Sequence, residues 1–187
     1  MLFRSLLMKA KLLLITFFSL SIFRYGSAQI YMGKSNEISF FSHGPIEDIS
    51  AVSKSAQVVM NTAKNDIAIK VTVKGFDFEK ELMQEHFNEK YMESDKYPYA
   101  TFTGKIKDTI DYKKDGTYKV TVVGKLNMHG VEKERTITGT ITVKGGEIFI
   151  ESKFVVALKD HKIEIPTLVA QNIAELVEVT IKSTLTE

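Results

Sequence analysis

Four histidines are the side chains of this sequence best suited to bind a metal ion or to transfer protons near neutral pH. They are His43, His86, His129 and His161. No two of them have the spacing of a metal-binding pair, and the chain contains no cysteine that could complete a zinc site. The pattern therefore favours separate structural or surface roles for the histidines, and it predicts no metal site.

Other residue types that carry chemistry also lack a recognisable arrangement. No serine lies in the Gly-x-Ser-x-Gly turn of hydrolases. The run Gly33-Lys34-Ser35 lacks the earlier glycine of a phosphate-binding loop, because position 28 is alanine. Acidic residues lie on the polar sides of the predicted elements, so a buried carboxylate pair for acid–base catalysis cannot be argued. We therefore expect a protein that is not an enzyme and that uses no cofactor.

The elements that would position a site are indicated most clearly by residues 117–159, where apolar residues or glycines alternate with mostly polar residues. A period of two is typical of strands that bury one face. Turns at His129-Gly130 and Gly145-Gly146 divide this region into the three strands of an antiparallel meander. Similar patterns occur in five other segments, residues 30–41, 55–60, 66–74, 100–106 and 177–185.

Residues 78–92 follow a different period, because apolar side chains recur there every three to four positions with charged side chains between them. We expect one helix in this stretch, lying against an apolar surface. Residues 46–53 have no clear period, and residues 163–175 are either a loop or a short helical segment.

The predicted fold class is all-β, with about eight antiparallel strands in an up-and-down barrel and one inserted α-helix. Closure into a barrel leaves no strand edge exposed, and about eight strands enclose just enough space for side chains or one small ligand. The inward positions include Gly104, Gly124 and Gly139. These glycines either make room for an apolar ligand or allow the strands to bend around the barrel. The helix either gates one mouth of the barrel or simply covers an open end of the core.

The first 28 residues are typical of a secretory signal peptide. Basic residues precede the apolar run 12–23, and the small residues at 26–28 suit cleavage by a signal peptidase. The apolar run is shorter than the about 20 residues that a membrane-spanning helix needs, although a retained anchor is the alternative. We therefore expect residues 29–187 to form one domain that is periplasmic or secreted and is not stably inserted in a membrane.

Removal of this segment would change the charge of the protein. It carries four of the 25 Lys and Arg residues and none of the 23 Asp and Glu residues, so the net charge would change from +2 to −2. The remaining domain has no basic field that would attract nucleic acid. Without cysteine it must be stabilised by its core alone.

Two motifs resemble those of the YceI-like family. Residues 96–102, KYPYATF, match a family segment of the form yP-x-x-x-F, and residues 124–131, GKLNMHGV, match the form G-x-L-x-x-H-G-V. In the helix that precedes them, only His86 matches the Arg-Asp-x-His-Leu pattern that is common in the family. The resemblance covers the whole predicted domain. It implies an exported, lipocalin-like barrel that holds a polyisoprenoid or another long apolar molecule.

The first hypothesis for function is therefore a binding protein whose partner is a long-chain apolar small molecule held inside the barrel. Inward positions of the strands would line the site, and apolar positions near the helix would form its mouth. The residues expected at this site are Val71, Phe102, Val122, Leu126, Ile137, Ile141, Ile150, Phe154, Val179 and Ile181, with Phe78, Leu82 and Phe87 at the mouth.

Two alternatives stay open. The first is a structural or interaction protein of the cell envelope whose barrel is filled by its own side chains. The second is an enzyme that acts on a small apolar substrate, and His86 would then be the residue to examine. The oligomeric state is also open, with a homodimer among the alternatives.

Overall fold

The computed structural model describes residues 29–44, 48–164 and 175–187, and it shows a sheet of 10 antiparallel strands. The strands are β1 (Ile30–Ser42), β2 (Ile49–Ser53), β3 (Gln57–Asn61), β4 (Asp66–Thr72), β5 (Phe76–Phe78), β6 (Tyr99–Ile106), β7 (Gly116–Met128), β8 (Val131–Lys144), β9 (Glu147–Ala157) and β10 (Leu176–Thr186). The predicted signal peptide lies outside the described residues, as does most of the segment 163–175.

One strand, β1, closes the sheet into a barrel. Along one edge it pairs with β10, and along the other it pairs first with β3 and then, from Ile38 to Ser42, with β2. The ring of eight strands is β1, β3, β4, β6, β7, β8, β9 and β10, and β2 and β5 extend the sheet beside β1. The prediction of an eight-stranded antiparallel barrel with one helix is confirmed. The additional strands were not predicted, because neither is long enough to show a clear period.

The two predicted glycine turns join the strands of the meander. His129 and Gly130 connect β7 to β8 with φ angles of 53° and 72°, and Gly145 and Gly146 connect β8 to β9 with φ angles of 59° and 82°. Two successive positive φ values are the geometry of tight hairpin turns that match the twist of the strands. The register of the whole meander is therefore set by these two turns.

The barrel has a closed end and an open end. At the closed end, Met60, Ile141, Ile148 and Leu185 are at most 1% exposed and fill the interior. The loop between β6 and β7 covers this end with Ile110 and Tyr112. The Tyr112 hydroxyl donates to Asn65 Oδ1 at 3.0 Å, and burial raises the pKa of Tyr112 to about 12. The closed end is therefore filled by the protein's own side chains.

The helix lies across the open end and is shorter than the pattern predicts. Helix α1 spans Glu81–His86 and continues as a π-helical turn, Phe87–Tyr91. Phe78, which the sequence places in the helix, instead ends β5 and pairs with Ala51 of β2. The first residue of the periodic stretch, Phe78, therefore pairs in the sheet, and the helix begins only at Glu81. Within the described residues, no helix is long and apolar enough to span a membrane.

Candidate functional site

An apolar cavity of about 330 Å³ occupies the open end of the barrel. Pockets that bind small molecules have volumes of about 300–1,000 Å³, so this cavity is at the small end of that range. Its described lining contains no Lys, Arg, Asp or Glu, and most of the side chains are aliphatic or aromatic. Polar groups come from Ser42, His86, Tyr91 and Thr101. The cavity can hold an apolar molecule, and its described lining has no Lys, Arg, Asp or Glu to pair with an ionised one.

The mouth of the cavity is covered by an aromatic cluster made of Phe40, Phe76, Phe78 and Phe87. Phe40 comes from β1, Phe76 and Phe78 come from β5, and Phe87 follows α1. The five close pairs among these rings have centroid separations of 5.0–5.8 Å. Aromatic rings pack favourably at such distances. The cluster therefore anchors α1, through Phe87, to β1 and β5 and makes it the cover of the open end.

Nine of the thirteen predicted site residues line this cavity. They are Val71, Phe78, Phe87, Phe102, Leu126, Ile137, Phe154, Val179 and Ile181. The strand alternation therefore identifies the inward face correctly, and contact of these residues with a ligand stays a prediction.

The other four predicted residues lie outside the cavity. Ile141 and Ile150 are buried in the closed half of the core, and Val122 packs against the same core. The period of two identifies a face of the strand, but it carries no information about depth along the barrel. Leu82 is 61% exposed, whereas Met83 of α1 and Phe87 of the π-helical turn line the cavity.

Several lining residues were not predicted. Ser42 continues the inward series of Ile38 and Phe40, so an extension of the alternation to the end of β1 would have found it. Leu158 and Ile163 lie in and just after the 3₁₀ turn Leu158–His161, where the strand period ends. The alternation of residues 148–158 reaches Leu158, although it was not chosen as a site residue, whereas no period of two extends to Ile163.

The inward glycines do not enlarge the cavity. A Cβ atom on Gly104 would lie 2.8 Å from the ring of Phe102 and from Val122, and one on Gly124 would lie 2.3 Å from the carbonyl oxygen of Thr103. At Gly139 the same atom would lie 2.6 Å from the carbonyl oxygen of Glu151. The glycines therefore allow close approach of strands and of the Phe102 ring, as the interpretation based on strand bending expects.

The side wall between β8 and β9 is closed in two ways. Backbone pairing runs only from Gly139–Ser152 to the turn at Lys144–Glu147. Beyond it, the guanidinium of Arg135 donates to the carbonyl oxygen of Val155 and lies 3.6 Å from Asp160. A side chain therefore connects the two strands in the half of the barrel that contains the cavity.

Two histidines tie the β7–β8 turn to the segment after β9. The ring of His129 lies 2.8 Å from Glu93 Oε2 through Nε2 and 3.2 Å from the carbonyl oxygen of His161 through Nδ1. His161 is fully buried, and its Nδ1 lies 3.0 Å from the carbonyl oxygen of Val131. Burial lowers the pKa of His161 because it penalises the charged ring. These contacts indicate structural roles for both residues.

The remaining histidines are separate from this pair. His43 Nδ1 lies 2.6 Å from Asp48 Oδ1 at the surface, and His86 lines the cavity from α1. Among the residues with described coordinates, no group of three or more acidic or histidine side chains is placed to hold a metal ion. The cavity thus contains an imidazole without a metal-binding constellation around it.

The fold is similar to that of solved structures of low sequence identity. One is a polyisoprenoid binding domain from Saccharophagus degradans implicated in plant cell wall breakdown, with 15% identity, a TM-score of 0.72, and coverage of 83% of this chain and 97% of that chain. Another is Burkholderia cenocepacia BcnA, with 18% identity, a TM-score of 0.67, and coverage of 80% and 95%. At these identities the likeness shows the fold. Among curated proteins, no sequence matches this chain.

A family match covers most of the chain. The YceI-like domain matches residues 33–185, which extend from β1 to β10. The match includes both motifs, residues 96–102 at the start of β6 and residues 124–131 at the β7–β8 turn. Because sequence and fold agree over this length, the chain belongs to the YceI-like domain family.

Proposed function

We propose that this protein binds one long apolar molecule, such as a polyisoprenoid, in the barrel cavity and carries it without chemical change. The observation that carries the proposal is the uncharged, largely aliphatic and aromatic lining of a cavity at one end of a closed barrel. Each buried methylene contributes about 0.8 kcal/mol, so an apolar chain needs few polar contacts to bind. The ligand named for the similar Saccharophagus degradans domain supports a prenyl chain.

A carrier role agrees better with the lining than catalysis does. The titratable side chains in the described lining are His86 and Tyr91, and neither has a carboxylate beside it in that lining. The alternative of a structural protein with a filled barrel fits only the closed half of the barrel, because the open half contains the cavity. We therefore retain the binding protein as the proposed function.

Export is part of this proposal. Cleavage after Ala28 would leave β1 complete, because that strand begins at Ile30. The carbonyl oxygen of Gln29 accepts a hydrogen bond from the amide of Thr62 at 3.2 Å, so the new N-terminus would be held against the barrel. Expression of the full chain in a Gram-negative host, fractionation and intact mass measurement should give a periplasmic protein that begins at Gln29. Retention of residues 1–28 in the purified protein would contradict this expectation.

The ligand is tested in two steps. Organic extraction of the purified protein followed by mass spectrometry should release an apolar molecule, and the emptied protein should bind farnesol or geranylgeraniol in native mass spectrometry. An empty extract together with no binding of either alcohol would refute the carrier proposal.

A matched pair of variants would locate the binding site. Ala100 lines the cavity, whereas Ala68 on the neighbouring strand is exposed on the outer surface. Ala100→Phe should fill the cavity and lower farnesol affinity at least tenfold, which corresponds to about 1.4 kcal/mol. Ala68→Phe makes the same chemical change outside the barrel and should leave the affinity unchanged. An equal effect of both variants would place the ligand elsewhere.

A further inference from the structure

We propose that Ser42 is a polar anchor of the cavity, and that the ligand ends in a small uncharged group that forms a hydrogen bond, such as a hydroxyl or a carbonyl. This inference rests on the proposed carrier function and specifies the chemistry of its ligand.

The observation is a buried hydroxyl that has no partner among the described residues. Ser42 is 2% exposed and lines the cavity from the last inward position of β1. Among the described residues, its Oγ atom has no hydrogen-bond partner. Leaving such a group unpaired is unfavourable, and buried polar groups are usually paired. A ligand atom that bonds to Ser42 would remove this cost.

Other buried serines of the barrel have partners. Ser53 Oγ lies 2.9 Å from Ser55 Oγ, and Ser183 Oγ donates to Asn36 Oδ1. These two serines are not part of the cavity lining. Ser42 therefore combines a position on the cavity wall with a buried hydroxyl that no described residue pairs.

The lining also determines which end group fits. A phosphate or carboxylate would lose its hydration without gaining a cation, because the described lining contains no Lys or Arg. A pure hydrocarbon would leave the Ser42 hydroxyl unpaired. A neutral group that donates or accepts one hydrogen bond satisfies both conditions. His86, Tyr91 and Thr101 can add further polar contacts, but they introduce no permanent charge.

The position of Ser42 also gives the ligand an orientation. Ser42 follows Phe40 of the aromatic cluster and pairs with Ile49 of β2, so it lies near the mouth. Phe102, Leu126 and Ile181 line the cavity from the walls of the barrel. The polar end of the ligand therefore lies near α1, and its apolar tail extends toward the closed end.

The experiment compares three probes that share one prenyl tail: farnesol, the hydrocarbon β-farnesene and farnesyl diphosphate. Binding to the emptied full-length protein is measured at pH 7.5 by native mass spectrometry. The native protein should prefer farnesol to β-farnesene at least tenfold, and it should bind the diphosphate least. Ser42→Ala should abolish the preference while β-farnesene still binds, and Ser42→Thr should retain the preference.

Ser53→Ala is the matched control, because it removes a buried hydroxyl that has a partner and lies outside the lining. It should keep the preference for farnesol. If β-farnesene binds but Ser42→Ala leaves the farnesol preference unchanged, the anchor is refuted and the carrier function stands. A preference of the native protein for the diphosphate also refutes the anchor. Binding of none of the three probes refutes both proposals.

Discussion

Gly124 illustrates how one residue is fixed by the backbone around it. It faces Gly104 directly across β6 and β7, and a Cβ atom here would lie 2.3 Å from Thr103 O and 2.6 Å from Gly104 Cα. Both contacts are to backbone, which cannot move aside as a flexible side chain can. We therefore expect Gly124→Ala to lower the free energy of unfolding by about 2 kcal/mol, the usual cost of overpacking. Urea denaturation would measure it.

Gly116 on the same strand is the control. A Cβ atom at Gly116 would meet nothing closer than 3.4 Å. Gly116→Ala should therefore change the unfolding free energy by no more than about 0.5 kcal/mol. A similar loss in both variants would show that the cost is a general property of the strand.

His161 should make stability depend on pH. Burial lowers the pKa of its ring below the usual 6.5, so the folded protein keeps the ring neutral while the unfolded chain protonates it. Because the unfolded chain then binds more protons, the free energy of unfolding should fall as pH drops below about 6.5. Arg135 and Asp160 also face this ring and modify the shift in opposite directions.

The measurement is the slope of stability against pH, taken from urea titrations between pH 8 and pH 5. His161→Gln should lose part of the slope, whatever its effect on stability at neutral pH. His43→Gln, which changes a histidine whose side chain is 81% exposed, is measured beside it for comparison. An unchanged slope in His161→Gln would contradict the assignment.

At the scale of residues, the sequence predicts whether a side chain faces the barrel interior better than it predicts how far along the barrel that side chain lies. Phe102 and Leu126 line the cavity as expected from alternation, but Ile141 and Ile150 share the same inward face and lie in the closed half. Where the interior is filled depends on the loop that carries Ile110 and Tyr112 over one end. That contact joins residues far apart in the chain, and local periodicity does not record it.

At the scale of elements, the β8–β9 wall depends on one side chain. Arg135 supplies a hydrogen bond to Val155 O and an ion pair with Asp160 where backbone pairing has ended. Hydrogen bonds from charged groups contribute about 1.5–3 kcal/mol, and Arg135 is only 22% exposed. Arg135→Ala should therefore lower the unfolding free energy by about 1.5 kcal/mol in chemical denaturation.

An exposed ion pair on the same sheet provides the comparison. Lys125 and Glu132 lie 2.8 Å apart, but their side chains are 55% and 51% exposed. Such surface pairs contribute little, so Lys125→Ala should cost no more than about 0.5 kcal/mol. If the two variants lost equal stability, Arg135 would have no special role in the wall.

Truncation of two apolar residues, one in α1 and one in its π-helical turn, should lower the stability of the protein by different amounts. Phe87 contacts three rings of the aromatic cluster, whereas Leu82 is 61% exposed. Phe87→Ala should cost about 3 kcal/mol, and Leu82→Ala should change stability by no more than about 0.5 kcal/mol. Thermal unfolding of both variants would test this, and a large loss in Leu82→Ala would contradict the observed orientation of α1.

The helix also shows why its length could not be predicted. The three-to-four period over residues 78–92 is real, but it begins with Phe78, which is already paired in the sheet. Phe78 of β5 and Phe87 of the π-helical turn belong to the same aromatic cluster, although they lie in different elements. An apolar contact looks the same in the sequence whether the residue belongs to a strand or to a helix.

At the scale of the whole molecule, the barrel could be predicted because its longest strands are amphipathic and joined by tight turns. The period of two in β7, β8 and β9 gave the strand type, and the glycines gave the hairpins. The double pairing of β1 with β3 and β2 could not be predicted, because it depends on where β1 leaves one partner for the other.

The filled end of the barrel limits the length of the ligand tail that the cavity can hold. A molecule held by its polar group near Ser42 has only the distance to the layer of Ile141 and Ile148 in which to place its tail. In the proposed orientation, tails that fit this depth would be shielded completely, and longer tails would have to fold back or project past α1. The protein would thus sort cargo by length, and the layer of side chains at the floor would set the limit.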